Sequence, residues 1–260
     1  MGTSQVQGNL WAARAPDYAE IVEQFGRPLY EAVFDAAGVE AGTRLLDVGC
    51  GPGLAAQLAA QHGAHVAGLD AAEASLAIAR ERTPQGDFRA GEMENLPWPD
   101  NNFDMVIGFN AFQYAADVVN ALREARRVAR PQGRVAMAVW GRLEDSDMVA
   151  LITALSQFLP PPPPGAPGPF ALSAPGRVEA LLQQAGLTPL SSGEVDCPFE
   201  FPNLETAVRG HMSAGPAAVA IRQAGVEAVQ QAIAESLAPF RTSEGGYRQH
   251  NRFRYVIAAA

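Results

Sequence analysis

The sequence predicts an α/β fold, a doubly wound and mostly parallel sheet with helices on both faces. Two observations predict it. Short apolar runs alternate with helical stretches from residue 44 to residue 140, and a glycine-rich turn joins the first such run to the first helix behind it. With 260 residues the chain buries a full-sized core without disulfides or structural metal.

Each element has a local cause. From residue 11 to 38 the pattern is helical: Pro16 and Asp17 suit a helix start, and Ile21, Phe25, Leu29, Val33 and Phe34 recur at about one turn. Residues 1–41 therefore form an N-terminal helical layer. Strand 44–48 follows, then helix 54–62, strand 65–69, helix 72–82, strand 87–90, strand 103–109, helix 118–129 and strand 134–140, joined by right-handed crossovers. A helix over 146–158 runs into prolines at every position from 160 to 164, with Pro167 and Pro169 beyond, which predicts a stiff extended surface connection. Helix 176–185, strand 188–195 and a last strand 253–259 complete the core. Between those strands, helical patterning at 204–212 and 216–237 is too long for a loop and predicts a cap. The expected division is thus a layer at 1–41, a core at 42–200 and 246–260, and a helical cap or lid at 201–245.

Composition removes several chemistries. All 19 basic residues are arginine, so a Walker A phosphate loop, a Schiff-base enzyme and a Ser-Lys hydrolase lack the amine each requires. The net charge of -9 disfavours a surface built for nucleic acid. Cys50 and Cys197 make neither a disulfide framework nor a C-x-x-C pair, and His62 and His65 have no further ligands at metal-binding spacing. No metal site is expected. No leader pattern or membrane-length apolar run is present, so the expected setting is the cytoplasm, away from membranes.

The turn Asp47-Val48-Gly49-Cys50-Gly51-Pro52-Gly53 lets the backbone approach a ligand at a helix N-terminus. As a dinucleotide fingerprint it is incomplete, because Leu54 stands where the third small residue belongs. Asp47 separates the ligand classes: a carboxylate beside the loop opposes a pyrophosphate and favours a ligand carrying a sulfonium and an ammonium. Asp70, at the end of the second strand, suits both hydroxyls of a ribose, its other reading being a helix N-cap.

These residues resemble the first motifs of the class I S-adenosylmethionine-dependent methyltransferases, in the small-molecule branch called type 11. The resemblance runs on through Gly91-Glu92-Met93-Glu94-Asn95-Leu96-Pro97-Trp98, similar to the family's acidic loop, and through Phe103-Asp104-Met105-Val106-Ile107 and Arg130-Pro131-Gln132-Gly133-Arg134; it covers about residues 40 to 140. It implies a Rossmann-like seven-stranded sheet with an antiparallel last strand. It also implies S-adenosyl-L-methionine as cofactor, held by Asp47, Gly49, Gly51, Gly53, Asp70, Glu92 at the adenine amino group and Met93 at the ring. Glu92 stands where aspartate is common, and Asn110-Ala111-Phe112-Gln113-Tyr114 replaces a histidine pair found in many relatives, which leaves Asn110 for the methionine end of the cofactor.

The expected function is methyl transfer by in-line displacement to a small organic acceptor. An NAD(P)-dependent reductase and a non-catalytic cofactor-binding module are the alternatives. Trp11, Tyr18, Gln113 and Tyr114 are expected to line the acceptor pocket, and His211 is the expected base or substrate contact, being a histidine of the cap.

Overall fold

In a strand successive side chains point to opposite faces, so the adjacent buried pair Leu45 and Leu46 demands cover on both sides. A computed structural model, which describes residues 2–160 and 170–260, supplies it. The strands in chain order are β1 (Arg44–Val48), β2 (His65–Asp70), β3 (Asp87–Ala90), β4 (Phe103–Phe109), β5 (Ala129–Trp140), β6 (Thr188–Asp196), β7 (Phe199–Phe201), β8 (Tyr247–Gln249) and β9 (Arg252–Ala259). Seven form one sheet in the order β3-β2-β1-β4-β5-β9-β6. Every pairing from β3 to β5 is parallel, and β9 alone runs antiparallel, between β5 and β6. The expected Rossmann-like sheet with its reversed last strand is thus present.

The helices are α1 (Ser4–Trp11), the single turn α2 (Ala15–Asp17), α3 (Arg27–Ala37), α4 (Leu54–Gln61), α5 (Glu73–Arg82), α6 (Val118–Val128), α7 (Met148–Ser156), α8 (Arg177–Gln184), α9 (Leu204–His211), α10 (Gly215–Ala224) and α11 (Val226–Leu237). Leu45, Met105 and Ile107 pack with α3, α4 and α5 on one face; Leu46, Val48 and Val106 pack with α6 and α8 on the other. Alternation then places Asp47 on the α3–α4 face, and the consequences for its charge appear below. The strand order reverses direction between β1 and β4, which opens a crevice at their carboxyl ends.

Four departures from the sequence pattern have physical causes. The expected helix over 11–38 is broken: a π-helical turn (Tyr18–Val22) and a 3-10 turn (Glu23–Gly26) intervene between α2 and α3, and the extra residue per turn shifts the phase of the buried stripe. An additional helix, α1, ends at Trp11 and contacts the sheet's crevice rather than carrying an apolar face of its own. The helix expected over 216–237 divides into α10 and α11 at Gly225, whose φ of 86° no α-helix accommodates. Helices α9 to α11 are bracketed by β7 and β8, which pair antiparallel from Phe199↔Gln249 to Phe201↔Tyr247 as a two-stranded ribbon whose three-residue strands are too short to leave a sequence signal. Of the proline run, Pro160 is described, and the remainder lies outside the described residues. No helix among the described residues is long and apolar enough to cross a membrane.

Candidate functional site

The carboxyl ends of β1, β2 and β4 contribute Gly49, Asp70 and Asn110 to one cavity of about 130 Å³. Gly49 adopts φ 76°, and a Cβ there would lie 2.4 Å from the Ala111 Cβ, so only glycine lets the β1 turn pass beneath the loop after β4. Gly51, Glu92 and Met93 also line this cavity, whereas Gly53 does not: it precedes α4 and packs against Ala79 of α5. Helix α1 supplies the opposite wall with Thr3, Ser4, Gln7 and Trp11.

Three aromatic residues line the cavity together. Trp11 meets Tyr18 and Tyr114 edge to face, with ring centroids 5.7 and 5.8 Å apart. The expected grouping of Trp11, Tyr18 and Tyr114 is therefore brought together, but Gln113 is not among the lining residues. Burial pushes the hydroxyls of Tyr18, Tyr30 and Tyr114 upward in pKa, so all three are phenols rather than phenolates near neutral pH.

An inner chamber shares Tyr18, Gly49, Gly51, Pro52 and Phe109 with the main cavity and adds Glu23, Tyr30, Asp47 and Cys50. Here the electrostatics are unusual. Asp47 is 3 % exposed, on an apolar face, and no hydrogen bond from a described residue offsets its burial. Its carboxyl is pushed well above the usual carboxylate range, by desolvation first and then by the neighbouring Glu23 and Asp70. Glu23, from the 3-10 turn, accepts the N–H of Leu54 at 2.9 Å and pairs with Arg82 of α5. Burial raises its pKa and Arg82 opposes that rise. Arg82 also donates to the carbonyls of Pro52 and Ala19, at 3.0 and 3.1 Å, and so ties the glycine turn to the N-terminal layer. Neither Glu23 nor Arg82 was anticipated from sequence, because the regular helix expected there puts no weight on position 23.

Asp70 is held by the backbone on both sides and is not the N-cap of α5, a position taken by Ala72. Its two oxygens accept the amides of Gly51 and Ala72, at 2.8 and 2.7 Å, the second closing a local turn before α5, and the residue lines the cavity. Glu92 accepts the N–H of Ser4 at 2.9 Å, and Thr3 Oγ1 donates to the Tyr114 carbonyl at 2.6 Å, which pins α1 across the cavity from both sides. Asn110, at φ 55°, keeps a buried Oδ1 with no hydrogen-bond partner among the described residues. A buried carbonyl oxygen without a donor is costly.

His211 stands apart from this cavity. It is buried at the end of α9 against Phe201, and its Nε2 bonds Gln249 Oε1 at 2.7 Å. The inner face of α9 points toward the β7–β8 ribbon, so the sequence expectation of a base or substrate contact finds no geometry to support it. Burial pulls its pKa down to about 4. A depressed histidine favours folding above its unfolded pKa, and that stability is lost as pH falls from about 6.5 through about 4. We expect urea unfolding at pH 7 and pH 4 to show a loss of about 3 kcal/mol that His211→Leu largely removes. An unchanged pH slope in His211→Leu would disprove the assignment. His62 and His65 are exposed at the far end of the sheet, and no group of three metal-ligating side chains occurs among the described residues.

Against this geometry the chain matches known proteins consistently. Residues 46–137 match the methyltransferase-domain family. A ubiquinone biosynthesis O-methyltransferase of Ruegeria pomeroyi is 33% identical over 156 residues, covering 58% of this chain and 62% of that protein. The methyltransferase GfsG of Streptomyces halstedii is 33% identical over 157 residues, covering 56% of this chain and 55% of the relative. The chain thus spans somewhat more than half the length of these curated relatives. Among solved structures, the [4+2]-cyclase SpnF superposes with a TM-score of 0.58 at 19% identity, covering 99% of this chain and 93% of that one, a likeness of fold. Over residues 46–137 the chain carries a methyltransferase domain, and its likeness to the curated methyltransferases extends over somewhat more than half of its length.

Proposed function

We propose that the chain transfers the methyl group of S-adenosylmethionine to a small organic acceptor. The observation that carries this reading is the acidic inner chamber, where Glu23 and Asp47 flank the glycine turn, Asp70 of the adjoining main cavity adds a third acid, and Arg82 is the cation paired with Glu23. In a dinucleotide enzyme the helix N-terminus after the turn receives a pyrophosphate. Here Glu23 already occupies the Leu54 amide, so a second anion is opposed by charge and denied a donor. A ligand bearing a sulfonium and an ammonium instead relieves Asp47. The orphan Asn110 Oδ1 fits the same ligand as an acceptor for its ammonium, Asp70 suits its ribose, and Glu92 and Met93 suit its adenine.

When bound, S-adenosylmethionine supplies an already activated methyl electrophile. The protein's part is to align the acceptor and exclude water, which the Trp11, Tyr18 and Tyr114 rings lining the cavity do. With no histidine lining the cavity and its phenols held protonated, the site favours acceptors that bring their own nucleophile, as a free lone pair or a readily ionised group.

Calorimetry tests the ligand: S-adenosylmethionine is expected to bind and NADH not to, and the reverse would sink the reading. Release of S-adenosylhomocysteine with labelled acceptor then tests turnover, which matters because a [4+2]-cyclase shares the fold. We expect Asp70→Ala to weaken cofactor affinity by roughly 1–3 kcal/mol through lost ribose contacts. Unchanged affinity would reduce Asp70 to an acceptor of backbone amides.

A further inference from the structure

We propose that a second cavity, between the end of α1 and the cap helices, holds the distal part of the acceptor and selects an apolar molecule carrying a carboxylate or similar anion. This rests on the methyl-transfer reading for the identity of the occupant as an acceptor. The cavity, of about 160 Å³, has Leu10, Met212, Ala218 and Ile221 as apolar walls and Arg14 and Arg222 as its two charged groups. Apolar walls with a few convergent polar groups are the composition of a small-molecule site.

Its position suits an acceptor. Trp11 lines the cofactor cavity and also abuts Gly215 at the start of α10, where an added Cβ would lie 3.0 Å from the indole. The indole thus packs from the cofactor cavity onto α10, whose Ala218, Ile221 and Arg222 line the second cavity together with Leu10 and Arg14 on either side of Trp11 in the chain. With adenine, ribose and methionine assigned to the first cavity, the body of an acceptor needs this adjoining space.

The charge balance selects the anion. Arg14 shares Asp17 with Arg209, at 3.3 and 2.8 Å, and Arg209 also takes Glu20. Arg222 has no carboxylate within ion-pair distance among the described residues, and its one hydrogen bond is a 3.5 Å contact to the Asn9 carbonyl. Three guanidiniums thus face two carboxylates, an excess of positive charge on a chain whose net charge is -9. Guanidinium is the side chain suited to bidentate carboxylate recognition. The inner chamber has the opposite sign, so an anionic group is steered to the cap side and kept from the acids beneath the cofactor.

Octanoate, octanol and octylammonium, titrated into the full chain with S-adenosylhomocysteine present, test this by calorimetry and ligand-observed NMR. We expect octanoate to bind at least tenfold more tightly than the other two. Arg222→Gln should erase that preference while S-adenosylmethionine affinity stays within twofold, and Ala218→Phe should block octanoate by filling the cavity. Equal binding of acid and alcohol would overturn the proposal, as would an unchanged preference in Arg222→Gln. The two readings fail separately. S-adenosylmethionine binding without any octanoate preference rejects this site alone, whereas octanoate preference without S-adenosylmethionine binding rejects the methyl-transfer reading and leaves an acid-binding cavity.

Discussion

Replacing Glu23 by alanine is expected to destabilise the protein by about 3 kcal/mol and to weaken cofactor binding at the same time. The stability loss has two sources. Leu54 loses the acceptor for an amide at the start of α4, and Arg82 is left partly buried without its counter-charge, holding only the Pro52 and Ala19 carbonyls. Removing one partner of such a pair costs more than the pair is worth, because the remaining charge stays desolvated. Glu23→Gln separates the effects. The amide oxygen still accepts from Leu54, so about half the stability should return, while one negative charge beside the inner chamber stays absent. For a cationic ligand that absence costs about 1–2 kcal/mol at the effective dielectric of a partly buried site. Urea midpoints and calorimetric affinities for both variants check this. If Glu23→Gln binds S-adenosylmethionine as tightly as the native chain, Glu23 is only a brace between the N-terminal layer and the loop.

That residue also shows how far the sequence could be read. The parallel core was legible because its central strands β1, β2, β4 and β5 carry apolar runs long enough to declare themselves, and because Asp47 and Asp70 sit at fixed offsets from a glycine turn. Position 23 was not legible. A regular helix through Ile21 and Phe25 treats it as an ordinary solvated glutamate, and only the π turn at Tyr18–Val22 rotates it inward. Helix α1 was missed for a related reason. Its sequence, SQVQGNLW, is polar with an internal glycine, and what holds it is tertiary: the Glu92 carboxylate at Ser4 and the close approach of Gly8 to the Ala71 carbonyl. His211 failed in the other direction. Chemistry alone nominated it as one of four histidines, but burial against Phe201 and Gln249 makes it a neutral core residue. Local pattern reports the elements that fold by their own periodicity, and the walls of this site are mostly elements that do not.

Asp47→Asn is expected to act with opposite signs on stability and on binding. The carboxyl of Asp47 is raised by desolvation and by Glu23 and Asp70, so the folded state holds its proton more tightly than the unfolded chain does. The stability this contributes is complete below the unfolded pKa and is lost as pH rises through the raised folded value. Asparagine cannot ionise, and the variant should therefore be more stable than the native chain at alkaline pH and indistinguishable from it in acid. Binding should move the other way. A cationic ligand stabilises the carboxylate form, so its arrival expels the proton, and native affinity should climb with pH until Asp47 is ionised unaided. In Asp47→Asn the affinity should fall by roughly 1.5–3 kcal/mol, the range for a hydrogen bond to a charged group, and its pH dependence should flatten. Calorimetry in two buffers of different ionisation enthalpy reads the proton directly: released on binding by the native chain, absent in the variant. Equal proton release from both would assign the titration to Glu23 or Asp70 and would leave Asp47 without a part in selecting the sulfonium.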